Sequence, residues 1–250
     1  MTFPQYTNNC PSGMYQKTIE ITDAMMDSSG RIRSGELARQ MEKITEQQLS
    51  LFGLNREEMQ TEGKIWVIAW TTIHIQRLPT LGEQIILRVW PGNKKSIMYP
   101  RKYAFYSLTG EPMVCASSLF ILMDSETRGF AQPMDKLSDV PAIVVNGEPE
   151  LPKMQIPFPK TMSKSVVRFV QAEEIDKNGH LNNTHYLDWA EELLESSSLK
   201  EKIPQSIWVQ YSKELKEGQE VVLQYEEREE KLFIQGYSEE EFSFLLVMEF

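Results

Sequence analysis

The two halves of this chain follow one plan, and that constrains its fold more than any other feature. Gly82-Glu83-Gln84-Ile85-Ile86-Leu87 is echoed by Gly218-Gln219-Glu220-Val221-Val222-Leu223, and Ile65-Trp66-Val67 by Ile207-Trp208-Val209. Each set follows a stretch with helical spacing. In the first, Leu37, Met41, Ile44 and Leu51 fall near one face, Ser34 is placed to cap the start and Gly53 to end it. In the second, Asn182 or Asn183 opens a helix with Tyr186, Ala190, Leu193 and Leu194 on its apolar face and Asp188, Glu191 and Glu195 turned outward. After the first helix, residues 65–75 are rich in β-branched and aromatic types and read as a strand buried on both faces, or nearly so. Pro79 and Gly82 turn the chain into a partner strand at 84–90. Two more strands, about 95–107 and 113–123, flank the turn Thr109-Gly110-Glu111, and Pro100 implies a bulge or an edge. Phe242 to Phe250 reads as a last strand. Residues 135–160 carry Pro141, Pro149, Pro152, Pro157 and Pro159 without periodicity, the mark of a linker laid over the surface. The reading is an α+β chain of two matched halves, 1–134 and 161–250, forming a pseudo-dimer.

Composition narrows the function. With 250 residues and 41% hydrophobic content the chain can bury a substantial core, and a net charge of −10 argues against nucleic acid as a partner. The acidic runs at 226–230 and 239–241 read as solvated turns. Cys10 and Cys115 make no disulfide framework or zinc pattern, and His180 and His185 lack the one-turn spacing of a helical metal pair, so neither metal nor cofactor is expected. His74 is expected to pair with a neighbour on a strand and His185 to be a bystander. The first residues show no signal-peptide pattern and the apolar tail is too short to span a bilayer, which makes a cytoplasmic location the expectation.

The chemistry concentrates at 176–183. Asp176, Asn178 and His180 gather a carboxylate, a carboxamide and an imidazole just ahead of a predicted helix start. A helix start offers unpaired backbone N–H groups and partial positive charge, which suits a developing oxyanion. Singly, these are turn and cap residues. As one string they exceed what a turn needs, and they suit an acyl-transfer hydrolase in which polar side chains activate water or attack directly.

These residues also carry a resemblance. The Asp-x-Asn-x-His-x-Asn-Asn-x-x-Tyr pattern at Asp176, Asn178, His180, Asn182, Asn183 and Tyr186 resembles that of the acyl-ACP thioesterases, the plastid fatty acyl-ACP hydrolases and their bacterial relatives. So do Trp66-Val67-Ile68, Arg77-Leu78-Pro79, Gly82-Glu83, Trp90, Ala116 to Phe120 and Thr127-Arg128-Gly129. The family's Tyr-Arg-Arg-Glu-Cys run reads here Tyr211-Ser212-Lys213-Glu214-Leu215, which keeps the glutamate and replaces the cysteine. The resemblance implies two tandem hotdog domains, each a long helix wrapped by an antiparallel sheet, and hydrolysis of fatty acyl-ACP to free fatty acid. It implies Asp176, Asn178, His180 and Glu214 as catalytic residues, with a carboxylate acting as base or nucleophile. It places the acyl chain in the first domain, making Met41, Phe52, Trp66, Ile68 and Trp70 candidate lining residues, although by spacing alone they are core. Acyl carrier protein is acidic, and Lys94, Lys95, Arg101 and Lys102, with Lys160 and Lys164, are its candidate landing site. A hotdog hydratase or dehydratase and a non-catalytic acyl-thioester sensor are the competing readings. Monomer and homodimer both stay open.

Overall fold

The computed structural model describes residues 3–250. The first half supplies β1 (Tyr15–Glu20), α1 (Ser34–Ser50), α2 (Arg56–Thr61), β2 (Lys64–Ile75), β3 (Gln84–Pro91), β4 (Met98–Ser107) and β5 (Pro112–Asp124). The second supplies β6 (Lys164–Phe169), α3 (His185–Leu194), β7 (Ser206–Tyr211), β8 (Glu220–Arg228), β9 (Lys231–Ser238) and β10 (Glu241–Glu249). The ten strands form one antiparallel sheet in the order β1-β3-β4-β5-β2-β7-β10-β9-β8-β6. The halves join strand to strand at its centre, where Thr72 of β2 pairs with Trp208 of β7.

Strand alternation decides what each face does. On one face, Leu37, Met41 and Ile44 of α1 and Tyr186, Leu187 and Ala190 of α3 share a single core with Ile73, Phe105, Leu223 and Phe244. On the other, the Pro-rich connection lies across the sheet: Ile156, Phe158 and Met162 pack on Trp208, Phe233 and Val247. Trp208 Nε1 donates to Lys153 O at 2.8 Å and Ser117 Oγ to Glu150 O at 2.5 Å. No helix among the described residues is long and apolar enough to cross a membrane.

Several expectations need correction. The tryptophan echo is out of register. Gly82 and Gly218 occupy equivalent turns, donating their N–H groups to Ile21 O and Val170 O, but Trp208 lies under the linker while Trp66 packs with Leu49 and Leu54 on the α1 side. A bulge between Ile68 and Trp70 turns β2 over, so Trp66 and Ile68 face α1 whereas Trp70 joins the linker cluster. Helix α1 ends at Ser50, and Leu51 lies beyond it, 64% exposed. Pro100 is not at a sheet edge, since β4 lies between β3 and β5. Its carbonyl accepts from Gly92 where β3 has just ended, so its missing N–H costs no ladder bond with β5. The acidic run at 226–230 is only half a turn: β8 continues to Arg228, and Glu226 and Glu227 accept hydrogen bonds from Ser163 N and Ser198 N.

Candidate active site

Residues 171–182 fold into a compact loop ahead of α3. A 3-10 turn at Ala172–Glu174 leads into a bridge between Ile175 and Leu181 that pinches the intervening residues into a tight loop. Asp176 organises this loop from within. Its Oδ1 accepts the N–H groups of Asn178 (2.7 Å) and His180 (3.2 Å), its own N–H donates to His180 O (2.7 Å), and its Oδ2 accepts from Asn178 Nδ2 (3.1 Å). Gly179 takes the left-handed conformation the turn requires, with φ of 81°. The first half reaches in through Arg56 at the start of α2, whose Nη2 lies 3.3 Å from Asp176 Oδ2 and whose Nε donates to Asn178 Oδ1 at 3.1 Å. Helix α2 is itself set by a capping box between Asn55 and Glu58.

With Asp176 and Asn178 committed to the loop, the groups left to react lie one step on. Leu181 N–H donates to Leu215 O at 2.7 Å, tying the loop to the segment after β7. That bond brings His180 Nε2 to 3.4 Å from Glu214 Oε2. Arg128 completes the group: it pairs with Glu214 and its Nη2 lies 3.3 Å from His180 Nε2. Arg128 is delivered by a turn in which Asp124 Oδ1 collects the N–H groups of Glu126 and Thr127, and it adopts a φ of 57° itself. A carboxylate, an imidazole and a guanidinium thus meet at a half-exposed junction of the two halves.

Two family models cover most of this chain: the acyl-ACP thioesterase N-terminal domain over residues 12–139 and the C-terminal domain over residues 159–248. The chain belongs to the acyl-ACP thioesterase family. Among curated relatives it is 25% identical over 176 residues to the palmitoyl-acyl carrier protein thioesterase of Cuphea hookeriana, and 25% identical over 168 residues to the dodecanoyl-[acyl-carrier-protein] hydrolase of Cinnamomum camphora. Those matches take in 67% and 63% of this chain but 41% and 43% of the relatives, so the chain spans about two fifths of the length of the curated proteins it matches. In fold it is similar to the 12:0-ACP thioesterase of Umbellularia californica, with TM-score 0.85 and 18% identity over 96% of this chain and 98% of that one. It is also similar to an acyl-ACP thioesterase of Bacteroides thetaiotaomicron, with TM-score 0.81 and 17% identity over 95% and 97%. The two tandem hotdog units expected from the resemblance are therefore the fold of this family member.

Other predicted residues of this thioesterase-family chain fall less neatly. The backbone N–H groups of Asn178, Gly179, His180, Leu181 and Asn182 all donate within the structure already, so they are not free to receive an oxyanion. Helix α3 begins at His185, not at Asn182 or Asn183, because Asn182 Oδ1 accepts from Thr184 N (2.8 Å) in an Asx turn. Asn182 Nδ2 instead reaches Glu42 of α1 at 3.1 Å. Leu215 is fully buried, Cys10 is exposed and away from the cluster, and burial pushes the Cys115 thiol up to about 12, so no cysteine is poised to attack.

Asp188 and Glu191 do not face outward; they pack against α1. Asp188 pairs with Arg39 and lies 2.9 Å from His185 Nδ1, which makes His185 a partner rather than a bystander. Although burial opposes it, the bonds from His185 and Arg39 hold the Asp188 carboxyl below its ordinary range. Glu191 Oε1 accepts Ser34 N at 2.6 Å, doing for α1 the capping expected of the Ser34 side chain, and burial pushes its pKa up to about 7. His74 finds no side-chain hydrogen bond among the described residues, and burial lowers its pKa.

Of the lining candidates, Trp66 borders a cavity, Met41 is core, Phe52 and Ile68 lie on the α1 side, and Trp70 faces the opposite side of the sheet. The basic group also divides. Lys94 and Lys95 are exposed on the β3–β4 connection, but Arg101 and Lys102 are buried, on opposite sheet faces because they are adjacent on a strand. Arg101 meets Gln48 of α1 and Lys102 pairs with Glu148 of the linker, so neither can receive a carrier protein. Lys164 of β6, at the far end of the sheet, pairs with Glu227 of β8. Sequence reading missed Arg56 and Arg128. Arg128 lies within the Thr127-Arg128-Gly129 turn that carries the resemblance; Arg56 has no local signal, because only the meeting of the two halves gives it a role.

Proposed function

We propose that this protein hydrolyses fatty acyl-ACP thioesters to free fatty acid, with Glu214 and His180 as the reacting pair and Arg128 as their electrostatic partner. The single observation that supports this best is the approach of His180 Nε2 to Glu214 Oε2 at 3.4 Å beside Arg128, in a chain of the acyl-ACP thioesterase family. Glu214 uses Oε2 for Arg128 and His180, which leaves Oε1 to accept a water proton. The resulting hydroxide adds to the thioester carbonyl carbon. The oxyanion forms beside the Arg128 guanidinium and a proton on His180. Collapse breaks the C–S bond, and the proton taken by Glu214 returns to the departing thiolate, giving the acid and the free carrier thiol. Asp176 and Asn178 act as positioning residues: they hold the His180 backbone and accept the Arg56 brace. The acyl chain lies in the first half, and the exposed Lys94–Lys95 pair receives the acidic carrier.

The test is free-thiol release from a panel of acyl-ACPs and matched acyl-CoAs. Turnover that falls about 10²- to 10⁴-fold in Glu214→Gln, with the thermal midpoint kept, is the expected result. A single turnover in ¹⁸O-water places the label in the fatty acid and none in Glu214; label in Glu214 would make it the nucleophile. Hydration of an enoyl thioester without thiol release would move the protein to the hydratase class, and tight binding of acyl thioesters without turnover would make it a sensor.

A further inference from the structure

Arg101 presents a problem that the proposed reaction does not solve. It lies on β4, pairs with Ser118 of β5 and Pro91 of β3, and turns its side chain toward α1, where it is 7% exposed. A charge removed from water is costly unless it is paired and hydrogen-bonded. Arg39, Arg56, Arg77, Arg128 and Arg168 each pair with a carboxylate. Arg88, the other arginine buried this deeply, gives Nε to Gln16 Oε1 at 2.8 Å and Nη2 to Thr7 O at 2.6 Å, and lies 4.3 Å over the Tyr6 ring. Arg101 has Gln48 Oε1 as its side-chain hydrogen-bond partner and the Phe120 ring at 5.8 Å, and no carboxylate among the described residues pairs with it. Burial lowers its pKa to about 10, which leaves it charged at neutral pH.

The unpaired guanidinium borders a cavity of about 250 Å³ whose other walls include Trp66, Tyr99, Met134, Leu137 and Val140. At water's share of about 30 Å³, that is room for roughly eight heavy atoms, the charged end and adjoining methylenes of a longer chain. The indole Nε1 of Trp66 is buried and has no hydrogen-bond partner among the described residues. Lys94 stands on the lining too, its Nζ 4.8 Å from the Tyr99 ring centre. An apolar slot with one buried cation, one unused N–H donor and a second cation complements an aliphatic chain that ends in an anion. The guanidinium fork matches a carboxylate. One wall of the cavity also leads along β5 toward the turn that carries Arg128. Trp66 pairs with Leu122, two residues before Asp124, whose carbonyl accepts the Arg128 N–H. That is about 7 Å along the strand.

We propose that this cavity is a carboxylate-binding site in which Arg101 and Trp66 Nε1 hold the charged end of an aliphatic chain. Two sources carry that chemistry: a free medium-chain fatty acid, and the ω-carboxylate of an acyl chain still attached to its carrier. The second source rests on the thioesterase reading; the first does not. The experiment titrates the full chain with octanoate and, as controls, octanol and octylamine, by calorimetry. Octanoate is expected to bind at least tenfold more tightly than either control, and Arg101→Met to abolish that preference while leaving the thermal midpoint unchanged or raised. Trp66→Phe is expected to weaken octanoate several-fold. Arg101→Lys, which keeps the charge without the fork, guards against misfolding of the methionine variant and should retain part of the preference. Equal binding of octanoate and octanol, or a preference that survives Arg101→Met, overturns the proposal. A second arm compares decanoyl and ω-carboxydecanoyl thioesters of one carrier. Turnover of the ω-carboxy chain that falls at least tenfold relative to the plain chain in Arg101→Met assigns the site to substrate. Octanoate binding with no turnover of the ω-carboxy chain assigns it to free fatty acid. If no thioester is hydrolysed while octanoate still binds through Arg101, the thioesterase reading fails and the carboxylate site stands.

Discussion

The loop at 171–182 has a twin at 22–33, and the two differ in a telling way. In both, an aspartate donates its N–H across the loop at 2.7 Å, Asp27 to Arg31 O and Asp176 to His180 O. In both, its Oδ1 takes the N–H groups two and four residues on: Ser29 and Arg31 in one, Asn178 and His180 in the other. A left-handed glycine follows, Gly30 at φ 79° and Gly179 at φ 81°, and a bridge closes each loop, Met26 to Ile32 and Ile175 to Leu181. The frame is therefore common property, and the aspartate belongs to the frame. What differs is the side chain it presents and what stands opposite. Arg31 reaches Lys200 O at 2.9 Å and fastens the halves together, whereas His180 meets Glu214 and Arg128. The helices behind the loops diverge in the same spirit. Arg39 and Asp188 cross between α1 and α3 as an opposite-charge pair, which two identical halves could not form about their own axis.

Exchanging the differing residues separates the two loops. Glu214→Gln and His180→Ala should each lower kcat about 10²- to 10⁴-fold in the thiol-release assay. Ser29→Asn with Arg31→His, which copies the second loop into the first, should restore nothing in the Glu214→Gln background. Asp27→Ala and Asp176→Ala test the shared frame: each should cost about 1–3 kcal/mol in urea unfolding, since each strands backbone donors, but only Asp176→Ala should reduce turnover. Equal loss of turnover in Asp27→Ala would mean that the first loop also serves the chemistry.

Glu191 offers a test of the cross-brace to α1. Its carboxyl is raised to about 7 by burial, so between pH 4.5 and 7 the folded protein holds a proton that the unfolded chain has released. Stability from this group is then greatest below pH 4.5 and falls as pH rises to 7. Glu191→Gln keeps an acceptor for Ser34 N without the titration, so over that window wild type should lose about 1–3 kcal/mol relative to the variant, measured by unfolding at several pH values. The smallest effect belongs to the twin glycines. The added methyl of Gly30→Ala or Gly179→Ala meets nothing within 4 Å among the described residues, so each should cost only about 1 kcal/mol from the left-handed backbone, and by similar amounts. Unequal costs would show that one loop is strained and the other is not.

Much of this was legible in the residues because it is local. The core helix α1, strands β2 to β5 and the string Asp176 to His180 follow from periodicity, turn chemistry and a motif whose members lie within five positions. The twin loop was legible too, through Asp-x-Ser-Gly at 27–30 against Asp-x-Asn-Gly at 176–179, but the echo between tryptophans drew the register to the wrong place. Outward-facing positions on α3 were misread because amphipathic spacing assumes solvent on the polar side. Here that side meets another helix, and Asp188 and Glu191 are used there. Arg101 and Lys102 looked like a basic surface pair for the same reason: charge next to charge suggests exposure, whereas adjacent strand positions point to opposite faces, and at β4 both faces of the sheet are covered.

The two-fold plan, the Pro-rich connection and the loop that carries His180 are written in the residues themselves, since backbone propensity and side-chain-to-backbone bonds act over a few residues. The packing of the two halves brings His180 to Glu214 and Arg128, makes Arg56 a brace on the loop from the other half, and buries Arg101 with no carboxylate pairing to it among the described residues. Those outcomes depend on how the halves join through β2 and β7 and on what the linker covers. Such contacts between residues far apart in the chain are set by packing the whole core, not by any local stretch.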